Sequence, residues 1–241
     1  MTKHYGLIGF PLAHSFSKKY FEEKFIRENI AATYENFPLE SIEELGPLLK
    51  EKGLNGFNIT IPYKEAVIDF LTEMDATAEA VGAVNCVKID GEKLIGYNTD
   101  VHGFVTSLRR FIPDQSLKAL VLGTGGSSKA VSYGLNQLGI AHHFVSRRKK
   151  AEWFTYNELT NELILEHRLI INTTPLGMSP SIAVPAIPFP AITDTHYLFD
   201  LIYNPAITPF LAEGQKQGAK ICNGMGMLHA QAERNWEIWN A

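Results

Sequence analysis

The string VLGTGGSSKA sets Gly123, Gly125 and Gly126 where an apolar run, Leu117 to Leu122, gives way to a helix-forming stretch. Side chains at such a junction keep a pyrophosphate at a distance; small residues let backbone N–H groups reach it at the positive end of the helix. The spacing departs from a strict G-x-G-x-x-G, because Ser128 stands at the third glycine position, and a plain tight turn would use the same residues. The next strand discriminates. Binders of NAD usually end it with an Asp or Glu on the ribose 2′-hydroxyl, about 20 residues after the loop. Here it ends Ser146-Arg147-Arg148. Two guanidinium groups and no carboxylate suit a 2′-phosphate, which favours NADP over NAD, with a solvated basic turn as the alternative.

The first hundred residues place polar side chains less tellingly. Phe57-Asn58-Ile59-Thr60-Ile61 alternates, so Asn58 and Thr60 face away from Phe57, Ile59 and Ile61. Pro62 ends that strand and Lys64 opens a helix at its C-terminal edge, where open α/β sheets place ligands. Taken singly, each polar residue has an ordinary use. Lys64 reads as a surface lysine, Ser15 and Ser17 as caps for a helix beginning near Lys18, and Asp100 as the cap of a helix at Val101. Asn85 could satisfy a hairpin backbone group, and Gln231 could be a helix surface residue.

These residues sit on an alternation of short β-branched or aromatic runs with amphipathic stretches, the pattern of α/β architecture with parallel pairing. Strands are expected at Tyr5 to Phe10, Thr33 to Phe37 and Gly56 to Ile61, and helices at Lys18 to Asn29, Ser41 to Lys52 and from about Lys64. Ala83 to Ile89 and Lys93 to Gly96 flank Asp90-Gly91, a hairpin pair expected at the edge of the first sheet. Val101, Phe104, Val105 and Leu108 recur at helical spacing and mark a connector between domains. A second strand-first unit follows, with strands at Leu117 to Leu122, His143 to Ser146, Leu169 to Asn172, Tyr197 to Leu201 and Ala219 to Cys222. Its helix from about Ser128 stops at Gly139, and a last helix runs from about Met227 to Trp239. Between Arg148 and Leu169 the chain is short for a full strand and two helices, so one crossover helix is expected to be trimmed.

Composition narrows the class. Of 241 residues 45% are hydrophobic and 20% charged, and 22 Lys+Arg against 26 Asp+Glu give a net charge of −4, which excludes disorder, a collagen-like repeat and a basic nucleic-acid binder. The length admits one large domain or two compact ones. Cys86 and Cys222 are too few for a disulfide framework and read as small buried hydrophobes, and no motif has metal-ligand spacing, so a metal-free site in a reducing compartment is expected. The opening MTKHYGLIGF lacks signal-peptide character and no apolar run suits a membrane span, so a soluble cytoplasmic protein is expected. The sequons at Asn58 and Asn172 are then coincidences of composition, and His14 is a loop histidine satisfied by backbone.

In combination the strings carry more. GFPLAHSFS, NITIPYK, GAVNC, GYNTD, the glycine loop, INTTPLGM, DLIYNP and GMGMLHAQA follow in an order and spacing that resemble the shikimate dehydrogenase family, from about residue 5 to residue 239. The resemblance implies an α/β fold of two domains with a cleft between them: an open α/β substrate domain, 1–100 plus 225–241, and a Rossmann-like NADP-binding domain, 101–224. It implies reversible NADPH-dependent reduction of 3-dehydroshikimate to shikimate, on the route to chorismate and the aromatic amino acids. Lys64 and Asp100 look like the family's catalytic pair. Ser15 and Ser17 match the serines that hold the substrate carboxylate, and Thr60, Asn85, Tyr203 and Gln231 match residues around its hydroxyls and carboxylate. Gly123, Gly125, Gly126 and Ser127 match the pyrophosphate loop, Ser146, Arg147 and Arg148 the position that contacts adenosine phosphate, and Leu201 and Gly224 the lining of the nicotinamide.

The chemistry suits these residue types. Reducing a ketone requires something to stabilise and then protonate the growing alkoxide, and a lysine ammonium with an orienting carboxylate does both without a metal. A polyhydroxylated anion is held by convergent hydroxyls and amides. The partners implied are a small-molecule substrate and NADP, with no nucleic acid and no membrane, in a monomer or homodimer. Departures are Ser146 and Arg148, where Asn and Thr are usual, and a loop whose Thr124, Ser127 and Ser128 hydroxyls could add phosphate bonds. A quinate/shikimate branch using NAD, a non-catalytic dinucleotide sensor and a folate-type dehydrogenase are the rival readings.

Overall fold

The computed structural model describes residues 2–12 and 16–241. It divides into two compact units, residues 1–99 with 232–241, and residues 100–231. In chain order the first unit contains β1 (Lys3–Gly9), α1 (Phe16–Arg27), β2 (Ala32–Pro38), α2 (Leu45–Lys52), β3 (Gly56–Ile59), β4 (Glu73–Met74), α3 (Ala76–Val81), β5 (Cys86–Asp90) and β6 (Lys93–Tyr97). Its sheet has the order β2-β1-β3-β5-β6-β4. The pairs β1–β2 and β1–β3 are parallel, whereas β3–β5 and β5–β6 are antiparallel.

Alternation along β1 and β3 fills a layer on each face. Ile8, Phe57 and Ile59 pack with Leu45, Val67 and Ala78. Tyr5 and Leu7 pack with Phe21, Phe25, Tyr34 and Trp239, the last contributed by the C-terminal helix. Aromatic stacking dominates this second layer: the rings of Tyr5 and Trp239 lie 4.6 Å apart and those of Phe21 and Tyr34 4.7 Å. Asn58, between Phe57 and Ile59, is buried.

The second unit continues with α4 (Thr99–Phe111, from its second residue), β7 (Ala119–Leu122), α5 (Gly126–Gln137), β8 (His142–Ser146), β9 (Phe154–Thr155), α6 (Asn161–Glu166), β10 (Leu169–Asn172), β11 (Tyr197–Asp200), α7 (Pro209–Lys216), β12 (Lys220–Cys222) and the start of α8 (Met225–Asn240). Every pairing in its sheet is parallel, in the order β12-β11-β10-β7-β8-β9. That is the doubly wound order, reversing between β7 and β10. Ala119 and Val121 pack with residues of α4 and α5, and Leu120 and Leu122 with those of α6 and α7.

Four expectations need correction. No α-helix begins at Lys64: a turn precedes a 3₁₀ segment, Ala66–Phe70, because the chain is recruited to the sheet edge, Thr72 exchanging hydrogen bonds with Leu94 before β4 pairs with β6. The hairpin is therefore not the edge; β4 lies outside it. Its two-residue turn is Gly91-Glu92, since Asp90 still pairs with Lys93 and Gly91 takes the positive φ of 62°. The trimmed crossover is found: no helix joins β8 to β9. The boundary between units falls inside α8, at 231/232, later than the seam expected at 224/225, because the first turns of α8 pack on α4. Among the described residues no helix is long and apolar enough to cross a membrane.

Candidate active site

In the first unit the loops after β1 and β3 are stitched together. Phe10 N–H donates to the Ile61 carbonyl (3.0 Å), Thr60 N–H to that of Ile8 (2.9 Å), and Tyr63 N–H closes a turn on the Thr60 carbonyl (3.0 Å). Tyr63 is buried, with its hydroxyl on the Leu39 carbonyl (2.7 Å), and the Lys64 carbonyl accepts from Val84 N–H (2.8 Å). Lys64 and Thr60 thus stand half-buried on an anchored backbone at the carboxyl edge of the sheet. Asn85 is buried at the entry to β5: its Oδ1 accepts from Thr99 N–H (2.7 Å), so the amide secures the first residue of α4. Ser17 lies in the first turn of α1; Ser15 and His14 fall outside the described residues.

Asp100, in the first turn of α4, opens the second unit and is buried. One turn on, Gly103 meets α8: a Cβ there would stand 2.5 Å from the Met227 carbonyl oxygen and 3.1 Å from the Gln231 Cβ. Close contact at that glycine brings Asp100 and Gln231 onto adjoining helices, and Gln231 is buried, Nε2 donating to the Leu228 carbonyl (3.1 Å). It is no surface residue.

The glycine loop has the form its spacing implies. Gly123 takes φ 106° with a Cβ position only 2.8 Å from Thr173 Oγ1, so a side chain would be strained and crowded. Gly125 opens on empty space and caps α5 without any side-chain hydrogen bond. Backbone donors at an uncapped helix N-terminus, at the point where strand order reverses, suit a pyrophosphate. Of the three hydroxyls, Ser128 is spent internally on the Gly125 carbonyl (2.6 Å) and is buried, whereas Thr124 is exposed and Ser127 half-buried.

At the end of β8, Ser146 Oγ accepts from Arg148 N–H (3.2 Å) and folds the basic run back on itself. Lys149 is engaged by Glu158 (2.7 Å), whose carboxyl is held down to about 2 chiefly by that bond, and Lys150 lies 4.6 Å over the Trp153 ring. Arg147 and Arg148 are exposed.

Leu201 and Tyr203 belong to a loop organised by a buried polar residue, the first of the string DLIYNP, to which the sequence reading gave no role. Asp200, fully buried, accepts from Thr208 Oγ1 (2.5 Å), Asn172 Nδ2 (3.0 Å) and Ile202 N–H (3.0 Å). Leu201 N–H donates to the Asn172 carbonyl and Gly224 N–H to that of Ile202, each at 3.0 Å, and any side chain on Gly224 would strike the Leu201 carbonyl. Burial pushes the Asp200 carboxyl up to about 6 against the pull of its three donors. A carboxyl raised above its unfolded value near 3.9 stabilises the fold most below about pH 4 and loses that contribution as pH rises through about 6. Wild type compared with Asp200→Asn, which cannot titrate, should therefore lose about 3 kcal/mol of relative stability between pH 4 and 7. Urea melts at stepped pH measure it, and a flat difference would refute the assignment. Burial likewise raises the thiols of Cys86, a small buried hydrophobe as expected, and of Cys222, which is only half-buried.

Comparison with known proteins places this arrangement among relatives. Residues 7–87 match the family model described as the shikimate dehydrogenase substrate binding domain. The shikimate dehydrogenase (NADP(+)) of Caldanaerobacter subterraneus subsp. tengcongensis is 35% identical over 99% of this chain and 91% of its own length. The crystal structure of shikimate dehydrogenase from Aquifex aeolicus superposes with a TM-score of 0.89 at 34% identity, covering 99% of this chain and 92% of that one. The Thermus thermophilus enzyme in complex with NADP(H) and shikimate gives 0.89 at 29% identity, covering 99% and 93%.

Proposed function

This chain belongs to the shikimate dehydrogenase family, and from that membership we infer that it catalyses the reversible NADPH-dependent reduction of 3-dehydroshikimate to shikimate. End-to-end similarity to NADP(+)-dependent shikimate dehydrogenases carries the reading. The second unit binds NADP. The glycine loop fits a dinucleotide: Gly123 has no room for a side chain, Gly125 leaves open space, and α5 presents uncapped N–H groups. Gly123, Gly125, Gly126 and Ser127 hold the pyrophosphate, Ser146, Arg147 and Arg148 the adenosine phosphate, and Leu201 and Gly224 line the nicotinamide. The bound cofactor supplies the hydride.

The remaining work falls to side chains. Ser15 and Ser17 hold the substrate carboxylate, while Thr60, Asn85, Tyr203 and Gln231 grip its hydroxyls and carboxylate. The Lys64 ammonium donates a hydrogen bond to the oxygen that gains charge and then a proton from Nζ, and the Asp100 carboxylate orients the lysine. In the reverse direction neutral Lys64 accepts the hydroxyl proton. The enzyme works in the cytoplasm, as a monomer or homodimer.

Initial rates of shikimate oxidation, followed by absorbance of the reduced cofactor with NADP and NAD in parallel and quinate as competing substrate, test this directly. A strong preference for shikimate and NADP is expected. Turnover confined to quinate or NAD would move the chain to a sister branch, and NADP binding without turnover would make it a sensor.

A further inference from the structure

Three loops at the carboxyl edge of the second sheet meet on one buried carboxamide, that of Asn172. Thr174 N–H can only donate, so the Asn172 atom facing it (3.0 Å) is Oδ1, which also accepts from the Thr174 hydroxyl (2.7 Å). Nδ2 is thereby turned the other way, donating to the Leu176 carbonyl (3.3 Å) and to Asp200 Oδ1 (3.0 Å). Asp200 Oδ1 accepts Ile202 N–H as well (3.0 Å), and the Asn172 backbone carbonyl takes Leu201 N–H (3.0 Å). Consecutive N–H groups after β11 are thus pinned to the end of β10. Beside Asn172, Thr173 gives both its N–H (3.0 Å) and its hydroxyl (2.7 Å) to the Leu122 carbonyl, directly before Gly123, so the loop after β7 is carried on the same support.

The remaining bond depends on charge. Both lone pairs of Asp200 Oδ1 are engaged, so a proton on this carboxyl goes to Oδ2, which faces the Thr208 hydroxyl (2.5 Å). That hydroxyl donates to the carboxylate and accepts Leu211 N–H (3.3 Å) as the cap of α7. Protonation reverses the Thr208 bond and turns Oδ1 into a carbonyl oxygen, a weaker acceptor for Ile202 N–H. Burial has pushed the carboxyl up to about 6, which leaves it ionised at neutral pH, and its three partners are all neutral. On the neighbouring elements, Lys220 of β12 donates to Tyr197 (3.0 Å), Glu213 and Lys216 of α7 pair with each other (2.5 Å), and burial keeps Cys222 and Tyr203 protonated.

We propose that ionised Asp200 is a positioning residue for the nicotinamide: with Asn172 it fixes the Leu201 and Ile202 backbone, and the Gly224 N–H on the Ile202 carbonyl (3.0 Å) sets both residues assigned to that ring on one support. The proposal rests on that assignment of Leu201 and Gly224. A wall already rigid when the ring arrives costs less ordering on binding. The neutral acid is the form the fold prefers, yet the carboxylate is the form that clamps.

Asp200→Asn keeps an oxygen for Asn172 and Ile202 and removes the charge. Its Kd for NADP is expected to rise about fivefold, whereas the Kd for 2′-phospho-ADP-ribose, the same molecule without nicotinamide, stays within about twofold of wild type. In wild type the ratio of the two Kd values should climb by the same factor as pH falls through about 6, and in the variant it should stay level. Wild type gains stability relative to the variant over that range, so a purely structural role would not raise the ratio in acid. Gly224→Ala, whose Cβ would stand 2.0 Å from the Leu201 carbonyl oxygen, displaces the wall directly and separates two failures. NADP affinity unchanged in Asp200→Asn but weakened in Gly224→Ala would overturn this inference alone; NADP affinity unchanged in Gly224→Ala, or wild type that binds no NADP, would overturn the nicotinamide assignment with it. Equal losses for both ligands would mean that Asp200 supports the whole unit, and would also refute the proposal. If Asp200→Asn does not fold, wild type decides: a ratio that stays level as pH crosses about 6 refutes the role.

Discussion

Replacing Lys64 with alanine is expected to lower shikimate turnover about 10³-fold while leaving the Kd for NADP within about twofold of wild type. The loss combines two effects: no ammonium faces the oxygen that gains charge, and no group stands ready to give that oxygen its proton. Lys64→Arg should not restore the rate, because a guanidinium keeps its proton at any working pH. Fold should survive the substitution, since what anchors this segment is backbone and Tyr63: the Lys64 carbonyl on Val84 N–H, the Thr60–Tyr63 turn, and the Tyr63 hydroxyl on Leu39. Cofactor binding is spared because the glycine loop belongs to the other unit. Single-turnover rates with cofactor affinity measured separately would decide the matter, and turnover within about tenfold of wild type would remove Lys64 from the chemistry.

The second large effect concerns cofactor choice. Of the four consecutive basic residues after Ser146, Lys149 is engaged by Glu158 and Lys150 by the Trp153 ring, which leaves the two exposed arginines for a 2′-phosphate. Replacing both Arg147 and Arg148 with alanine should lower kcat/KM for NADP about 10²-fold, two charge-assisted bonds at the low end of their range because both side chains are exposed. With NAD, which carries no phosphate there, the change should be about twofold or less, so the preference collapses toward parity. Raising ionic strength should weaken NADP alone in wild type and neither cofactor in the variant. Equal losses with both cofactors would assign the arginines to the adenosine moiety rather than its phosphate.

Much of this was legible from residue order. Strand-to-helix passage at Gly123, the hairpin glycine at Gly91, alternation through β3 and the shortened crossover after Arg148 all follow from local rules: positive φ, side chains alternating between two faces, and chain length. NITIPYK, GYNTD and GMGMLHAQA point to the family because several independent strings recur in one order. Less accessible was whatever depends on partners distant in sequence. The segment after Lys64 has helical-looking composition, but Thr72 finds Leu94, and edge pairing overrides the local preference. Ser128 looks like a phosphate ligand until its hydroxyl is seen on the Gly125 carbonyl.

Buried polar groups mark the same divide. Tyr34 and Thr208 belong to no motif, and Asn58, Asn172 and Asp200 lie in NITIPYK, INTTPLGM and DLIYNP without a use that those strings disclose, since a tyrosine on an alternating strand or a threonine before a proline has many uses. Only the fold removes water from them, and a polar group without water must find a partner. Membership of the family, and through it the reaction inferred for the chain, was thus legible in sequence alone. Which neutral neighbours fix the direction of the buried groups' hydrogen bonds was decided by tertiary structure, because that direction is set by a buried carbonyl or amide contributed from another strand.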